Sequence, residues 1–253
     1  PRTKEWQLFD LMNDPQEMRS IHDKPEAAKL LDDMKQRYTS MRKQYDVNSA
    51  AIPVSRLTEK WWRQRYQELD RKTSKESADL LFLGDSITQG WEGPGKETWQ
   101  RYYGSRNAIN LGFSGDRSEH LLWRLEKGKF KGGTAPKVAV IMIGTNNTGH
   151  LQQSATETAA GVGKVVAKVQ ERFPQTKVLL LGVFPRAAES NDPLRLLNKA
   201  INDRIAVLAQ DDQVDYLNLD ESFLDDNGVV SKEMMPDLLH LSPKGYEIWA
   251  KAL

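Results

Sequence analysis

The run Leu80-Leu81-Phe82-Leu83 stops abruptly at Gly84-Asp85-Ser86-Ile87-Thr88-Gln89-Gly90-Trp91, and it constrains the chain more than any other stretch. Consecutive apolar residues without alternation describe a strand buried on both faces, which is the environment of a parallel sheet covered by helices. A turn follows that presents one serine. In open α/β sheets the ligand crevice lies just outside the carboxyl ends of the strands, where Ser86 would stand.

The same pattern recurs downstream. Apolar runs predict strands at 78–83, 107–111, 138–143, 178–183 and 214–219, and helical periodicity predicts helices near 97–103, 117–127, 155–173, 193–209 and 243–252. Ser154-x-x-Glu157 is a capping box, while Asp192-Pro193 and Ser242-Pro243 pair a cap with proline at the first helical position. Strand and helix alternating five times predict a three-layer α/β/α sandwich around a five-stranded parallel sheet. A further helix, 58–71, carries Trp61, Trp62 and Tyr66 ahead of the first strand.

Residues 1–47 differ in character. Glu5 to Leu11 alternates like a strand, Asn13-Asp14-Pro15 is a turn, and Lys24 to Tyr45 reads as a charged amphipathic helix with Leu30, Met34, Met41 and Tyr45 near helical spacing. Ala50 to Val54, with Pro53, reads as a linker, so the expected division is an N-terminal extension at 1–47 and a domain at 53–253.

Composition excludes several classes. Lys+Arg 36 against Asp+Glu 35 gives a formal charge of +1 over 253 residues, which makes no electrostatic case for nucleic acid. No apolar run approaches the ~18–20 residues that span a bilayer, so no membrane insertion is expected. The segment from Pro1 onward is polar and carries no signal-peptide pattern. With no cysteine, thiol catalysis and Cys-ligated zinc are excluded, and the histidines His22, His120, His150 and His240 have no recognisable metal-ligand spacing. No metal or cofactor is expected. His120 reads as structural, His150 as a pocket-rim residue and His22 as solvated.

Four short segments fall on loops after strands at one edge of the expected sheet: Gly84-Asp85-Ser86-Ile87, Asn110-Leu111-Gly112-Phe113-Ser114-Gly115-Asp116, Gly144-Thr145-Asn146-Asn147 and Asp237-Leu238-Leu239-His240-Leu241-Ser242-Pro243. Their order and spacing resemble those of the SGNH (GDSL-type) serine esterases over about residues 53–253. Gly115-Asp116, Leu122-Trp123-Arg124-Leu125-Glu126, Gly144-Thr145-Asn146-Asn147 and Leu239-His240-Leu241 look most like the platelet-activating-factor acetylhydrolase-like branch and its carbohydrate-esterase relatives.

The resemblance implies a flavodoxin-like SGNH hydrolase fold. It makes Ser86 the nucleophile, His240 the general base and Asp237 its orienting carboxylate, with Ser86, Gly115 and Asn146 forming the oxyanion hole. The chemistry wants those residue types: a serine hydroxyl needs a base, an imidazole needs a fixed tautomer, and the developing oxyanion needs donors. Plainer readings stand beside these, in which Gly115 is a turn glycine, Asn146 a turn cap and His240 a loop histidine. Asp85 is expected to hold its turn through side-chain to backbone hydrogen bonds.

The expected activity is hydrolysis of short-chain O-acetyl esters, on carbohydrate first, through an acyl-enzyme. The alternative is an acetylhydrolase or lysophospholipase acting on a phospholipid-type ester, and a non-catalytic carbohydrate-binding or scaffold protein comes behind both. Trp91, Phe113, His150, Phe184 and Arg186 flank the blocks and are expected to line the substrate pocket. The acetylhydrolase branch gives precedent for a homodimer. The segment Trp6-x-Leu8-Phe9-Asp10-Leu11-x-x-Asp14-Pro15-x-Glu17 resembles the C-terminal tail of sulfatases. That likeness implies an upstream sulfatase domain, an acetylated polysaccharide as substrate, and a secreted or periplasmic location in a bacterium.

Overall fold

The computed structural model describes residues 6–44, 48–130 and 136–253, and the chain divides into two compact units, 1–48 and 49–253. In the larger unit, helix α2 (Lys60–Lys75) precedes strand β1 (Leu80–Gly84) and the one-turn helix α3 (Ser86–Gln89). Helix α4 (Lys96–Tyr103), β2 (Ala108–Gly112), α5 (Ser118–Lys127), β3 (Val138–Met142), α6 (Thr145–Leu151) and α7 (Ala155–Arg172) follow. The unit closes with β4 (Lys177–Leu181), α8 (Pro193–Ile205), β5 (Val214–Leu217) and α9 (Pro243–Ala252). The smaller unit holds α1 (Ala28–Gln44), led in by a 3₁₀ turn at Pro25–Ala27.

All five strands are parallel, in the order β2-β1-β3-β4-β5. Connections leave β1 toward one edge and then return to β3 on its other side. The carboxyl ends of β1 and β3 therefore flank the switch point at which doubly wound sheets open a crevice. Both faces of the sheet are covered. Leu81, Leu83, Ile109, Leu111, Ile141 and Leu180 pack with the valines of α7 and with α5 and α8. Phe82, Val140, Met142 and Leu181 pack on the opposite side with Trp91, Tyr103, Tyr246 and Trp249. Strands β1 and β3 therefore send alternate residues into two cores, which explains why their sequences show no polar alternation.

Two segments depart from the sequence reading. Glu5 lies outside the described residues, and the rest of the expected strand, from Trp6, forms no strand. Leu8 N donates to Ser20 Oγ (3.1 Å), Leu8 O accepts from Ile21 N (2.7 Å), and the Asp10 carboxylate accepts from Met12 N and Asn13 N. These local bonds close a loop on itself, and Asp beside Asn and Pro provides that alternative to a sheet ladder. Helix α1 matches the helical periodicity, with Trp6 set edge-on against Tyr38 at 5.5 Å, while Leu30, Met34 and Met41 stand exposed. Tyr45 lies outside the described residues.

The second departure is the expected linker at 50–54. Ala50 is fully buried and its carbonyl accepts from Ser118 Oγ (2.8 Å), Ser49 Oγ accepts from Gln153 Nε2 (2.7 Å), and Val54 N donates to Glu119 O (3.1 Å). The small side chain of Ala50 fits against Gly161 of α7, where an added Cβ would come within 2.6 Å of the Ala50 carbonyl. Proline and alanines read as a linker because this segment has no periodicity, yet its backbone is tied to α5 and α7.

The boundary can be tested by truncation. A chain beginning at Ser49 should melt cooperatively, whereas one beginning at Ser55 should melt at least ~4 °C lower. The lost hydrogen bonds and alanine burial amount to about 2–3 kcal/mol. Equal melting temperatures would show that 49–54 is a tether.

Candidate active site

Ser86 owes its position to the residues before it. A Cβ on Gly84 would lie 2.1 Å from Thr88 Oγ1 and 2.5 Å from the Met142 carbonyl, so only glycine lets β1 turn directly into α3. Asp85 caps that helix by accepting from Ile87 N at 3.0 Å, and Tyr246 Oη donates to the Ile87 carbonyl at 2.6 Å from the α9 side. Ser86 Oγ then lies 2.9 Å from His240 Nε2. His240 Nδ1 lies 2.6 Å from Asp237 Oδ2, while Asp237 Oδ1 accepts from the backbone N–H of His240 (2.7 Å) and Leu239 (3.1 Å).

The carboxylate thus binds both the ring and the backbone of the residue three positions on. That loop is tight: Leu238 adopts φ +60°, its carbonyl accepts from Ala187 N (2.9 Å), and Ser242 caps α9 directly after it. Burial alone would raise the Asp237 carboxyl, but the hydrogen bonds from His240 outweigh it and hold the group below its usual range. The side chains of His240 and Asp237 are 42% and 55% exposed, so the triad opens directly to solvent.

The loop after β2 folds back over the turn that joins β1 to α3. Gly112 N donates to Asn110 Oδ1 (2.9 Å), and a Cβ on Gly112 would come within 2.2 Å of Gln89 N. Ser114 N donates to Gln89 Oε1 at 2.7 Å, and Gly115 takes φ +70°, a conformation open to glycine at little cost. Asn146, in the first turn of α6, donates one N–H of its side-chain amide to the Asp116 carbonyl at 2.9 Å. The second N–H of that amide is left for another acceptor. Ser86 N and Gly115 N donate to no backbone acceptor among the described residues.

Behind this loop lies a buried ionic node. The Asp116 carboxylate, fully buried, accepts from Trp62 Nε1 (2.8 Å), Arg56 Nη1 (3.0 Å) and Arg124 Nε (2.9 Å). Arg124 also donates to the carbonyls of Leu111 and Gly84, at the ends of β2 and β1. Next to it Asn147 accepts from Ser118 N (3.0 Å) and donates to Ser118 Oγ, Glu119 Oε2 and Gln153 Oε1. Arg56, Trp62 and Gln89 did not stand out in the sequence as parts of the site, while Arg124 and Asn147 lay in segments that carried the family resemblance without a role of their own. Arg56, Trp62 and Arg124 reach the site through partners on other segments of the chain.

Three expected pocket residues are corrected. Trp91, Phe113 and Phe184 are each 1% exposed and belong to the core. Trp91 packs on Tyr246 and Trp249, Phe184 on Phe223 and Trp249, and Phe113 carries the Arg124 guanidinium 4.0 Å above its ring. Large aromatic side chains beside loops repay burial under the sheet edge more than exposure at a rim. His150 is exposed at the end of α6. Arg186 is half-buried and donates to the backbone and hydroxyl oxygens of Thr145 (3.3 and 3.2 Å), bracing the start of that helix. His120 is buried, its ring beside Arg117, and burial followed by the neighbouring arginines pushes it down to about 2, so it is neutral. His22, exposed in the smaller unit, pairs with Ser20 Oγ at 2.9 Å.

A groove of about 740 Å³ opens beside α4 and α9, lined by Pro94, Lys96, Thr98, Arg101, Pro243 and Glu247. Among the described residues, no group of three or more His, Cys, Asp or Glu could hold a metal ion, and no helix is long and apolar enough to cross a membrane.

A five-stranded parallel sheet with a serine, histidine and aspartate joined at its carboxyl edge has the layout of an α/β ester hydrolase. Residues 82–248 match the GDSL-like lipase/acylhydrolase family, and the chain belongs to that family. It is 34% identical over 193 residues to the human platelet-activating factor acetylhydrolase IB subunit alpha1, covering 76% of this chain and 80% of the relative. Over 214 residues it is 34% identical to the human alpha2 subunit, covering 83% and 90%. Among solved structures, a GDSL-like lipase from Bacteroides thetaiotaomicron superposes with TM-score 0.62 at 21% identity, covering 75% of this chain and 93% of that one. An acetylxylan esterase from Geobacillus stearothermophilus gives TM-score 0.55 at 20% identity, covering 71% and 94%.

Asp85 generates a prediction about pH. Its Oδ2 is buried with no hydrogen-bond partner, and burial, opposed by the Ile87 N–H, pushes the carboxyl up to about 7. An acid whose folded pKa is raised binds more protons in the native state, so its burden on stability grows as pH rises from ~4 and levels off above 7. Asp85→Asn keeps an oxygen to accept from Ile87 N and removes that burden, up to about 4 kcal/mol at pH 8. The melting temperature of the variant relative to wild type should therefore rise between pH 5 and pH 8. A difference that stays constant with pH would contradict the assignment.

Proposed function

We propose that the protein is a serine esterase that removes short acyl groups, acetyl foremost, from a polar alcohol through an acyl-enzyme on Ser86. The observation that carries this reading is the continuous chain of contacts from Ser86 Oγ to His240 Nε2 (2.9 Å) and from His240 Nδ1 to Asp237 Oδ2 (2.6 Å). In the proposed reaction His240 takes the hydroxyl proton as Oγ attacks the acyl carbon. The carbonyl π pair moves onto oxygen, where Ser86 N–H, Gly115 N–H and the free N–H of Asn146 receive it. Collapse expels the alcohol, which leaves with the proton from His240, and water repeats the sequence to release the acid. Asp237 stays ionised and steadies the imidazolium; each oxyanion donor contributes roughly 3–4 kcal/mol to such a step.

Two features favour a short acyl group on a polar alcohol. The triad is open to solvent, and the aromatic residues that could have walled an acyl channel lie in the core. A longer chain would therefore gain little of the ~0.8 kcal/mol per methylene that burial supplies. A phospholipid-type acetyl ester is the second reading, favoured by the 34% identity to subunits named for acetylhydrolysis of platelet-activating factor.

Ser86→Ala should stay folded and lose at least ~10⁴-fold in kcat on a p-nitrophenyl acetate-type substrate. Near-wild-type turnover would refute the assignment of the nucleophile. On the wild-type protein, kcat/KM for an octanoyl ester should not exceed that for the acetyl ester, and a rise with chain length would reveal an acyl channel. Acetate release from acetylated xylo-oligosaccharide, compared with release from a 2-acetyl phospholipid, separates the two substrate readings.

A further inference from the structure

Arg56 lies in the irregular segment ahead of α2, far in sequence from every loop of the site. Its guanidinium is largely buried and donates four of its five N–H bonds. Nε and Nη2 donate to the two Glu59 oxygens (2.9 and 2.7 Å), and Nη1 divides its two N–H bonds between Asp116 Oδ1 (3.0 Å) and the backbone carbonyl of Ser114 (2.8 Å). The last contact is the informative one. Ser114 C=O and Gly115 N–H are the two ends of one peptide group, and in a trans peptide they point to opposite sides. A cation seated on the oxygen therefore stands behind the peptide, with the Gly115 N–H directed away from it.

Resting on the serine-esterase reading above, we propose that Arg56 is a positioning residue for ester hydrolysis, whose bond to Ser114 O fixes and polarises the Ser114–Gly115 peptide so that Gly115 N–H becomes a stronger oxyanion donor. Two physical effects combine. A charge-assisted bond to the carbonyl draws electron density through the amide and leaves its hydrogen more positive, and this strengthening is larger where the dielectric is low. The same bond also fixes orientation. Gly115 holds φ +70°, which a glycine leaves readily, and a Cβ there would sit 3.3 Å from Arg56 Nη1, so guanidinium and loop are packed against each other. Ser114 N is held from the other side by Gln89 Oε1 at 2.7 Å. The loop is thus clamped at both ends of Ser114, leaving the Gly115 N–H as its free donor. Arg56 and Arg124 together carry two positive charges and Asp116 and Glu59 two negative ones, so the cluster retains the Arg56 cation without net charge.

The test compares Arg56→Gln and Arg56→Lys with wild type, using circular dichroism and a cooperative melt to establish folding. With an aryl acetate, Arg56→Gln should lose about 10- to 100-fold in kcat with KM within about threefold, a smaller loss than deleting a whole donor. Arg56→Lys, which keeps the charge but cannot serve Ser114, Asp116 and Glu59 together, should fall between the two. A methyl trifluoromethyl ketone supplies a readout that a merely structural role would not move. Ser86 Oγ adds to its carbonyl carbon, His240 takes the proton, and the π pair remains on oxygen as a stable oxyanion. Affinity for this ketone should fall across the variants by the same factor as kcat/KM. Unchanged kcat in Arg56→Gln, or a loss in kcat/KM without a matching loss in ketone affinity, overturns the proposal. Should Arg56→Gln fail to fold, the same two quantities are read in Arg56→Lys, where an unchanged kcat overturns it. Ser86→Ala separates the two claims: activity retained in that variant defeats the serine reading, whereas an inactive Ser86→Ala beside unaffected Arg56 variants defeats this inference alone.

Discussion

The buried pairing of Asp116 with Arg124 is the interaction on which the site depends. A carboxylate and a guanidinium taken out of water cost several kcal/mol unless every lone pair and N–H finds a partner. Here the partners are the site's own backbone. Arg124 binds the carbonyls that end β1 and β2, and Asp116 draws in Trp62 and Arg56 from the region of α2. The Asp116 carbonyl in turn orients Asn146 from the end of β3. Satisfying one ion pair therefore fixes, in relation to each other, the loops that follow three strands. Removing Asp116 would leave the buried Arg124 without its counter-ion, whereas removing Arg124 would leave Asp116 paired with Arg56 and free the carbonyls that end β1 and β2.

The Ser86 turn follows a different logic, resting on close packing of backbone. Gly84 and Gly112 let α3 approach the sheet edge to distances at which a Cβ could not exist. The Tyr246 hydroxyl joins that turn to α9, the helix that carries on from the His240 loop. Serine and histidine come from elements separated by more than 150 residues, yet each is held by hydrogen bonds formed within three residues of itself. Long-range geometry is thus assembled from locally rigid pieces, which is how a site can be set on a scaffold before substrate arrives.

Much of this was legible in the sequence because the physics behind it is local. Apolar runs such as Leu80–Leu83 and Val138–Met142 announced strands buried on both faces, and Ser154, Asp192 and Ser242 announced helix starts through capping. The four loop blocks told which residues meet at the sheet edge. Where the reading departed from the structure, the deciding contacts were non-local. Residues 6–11 alternate like a strand, but among the described residues no strand pairs with them, and Ser20 and Ile21 take up the hydrogen bonds of Leu8. Residues 50–54 look like a linker, yet Ala50 is buried against Gly161. Trp91, Phe113 and Phe184 flank the blocks in sequence while their side chains turn into the cores, a choice that depends on which cavity the folded sheet leaves to be filled. Arg56 and Trp62 carry no signal because their partner, Asp116, lies more than 50 residues away.

The central claim is that Ser86 is activated by His240 within a prearranged constellation. The most direct measurement is the site and rate of phosphonylation by an alkyl fluorophosphonate, followed by peptide mass spectrometry. The account predicts one label, on Ser86, forming rapidly in the wild-type protein and at least ~10³-fold more slowly in His240→Ala, because the hydroxyl then lacks its base. A label on another residue, or equal rates in the two proteins, would contradict it.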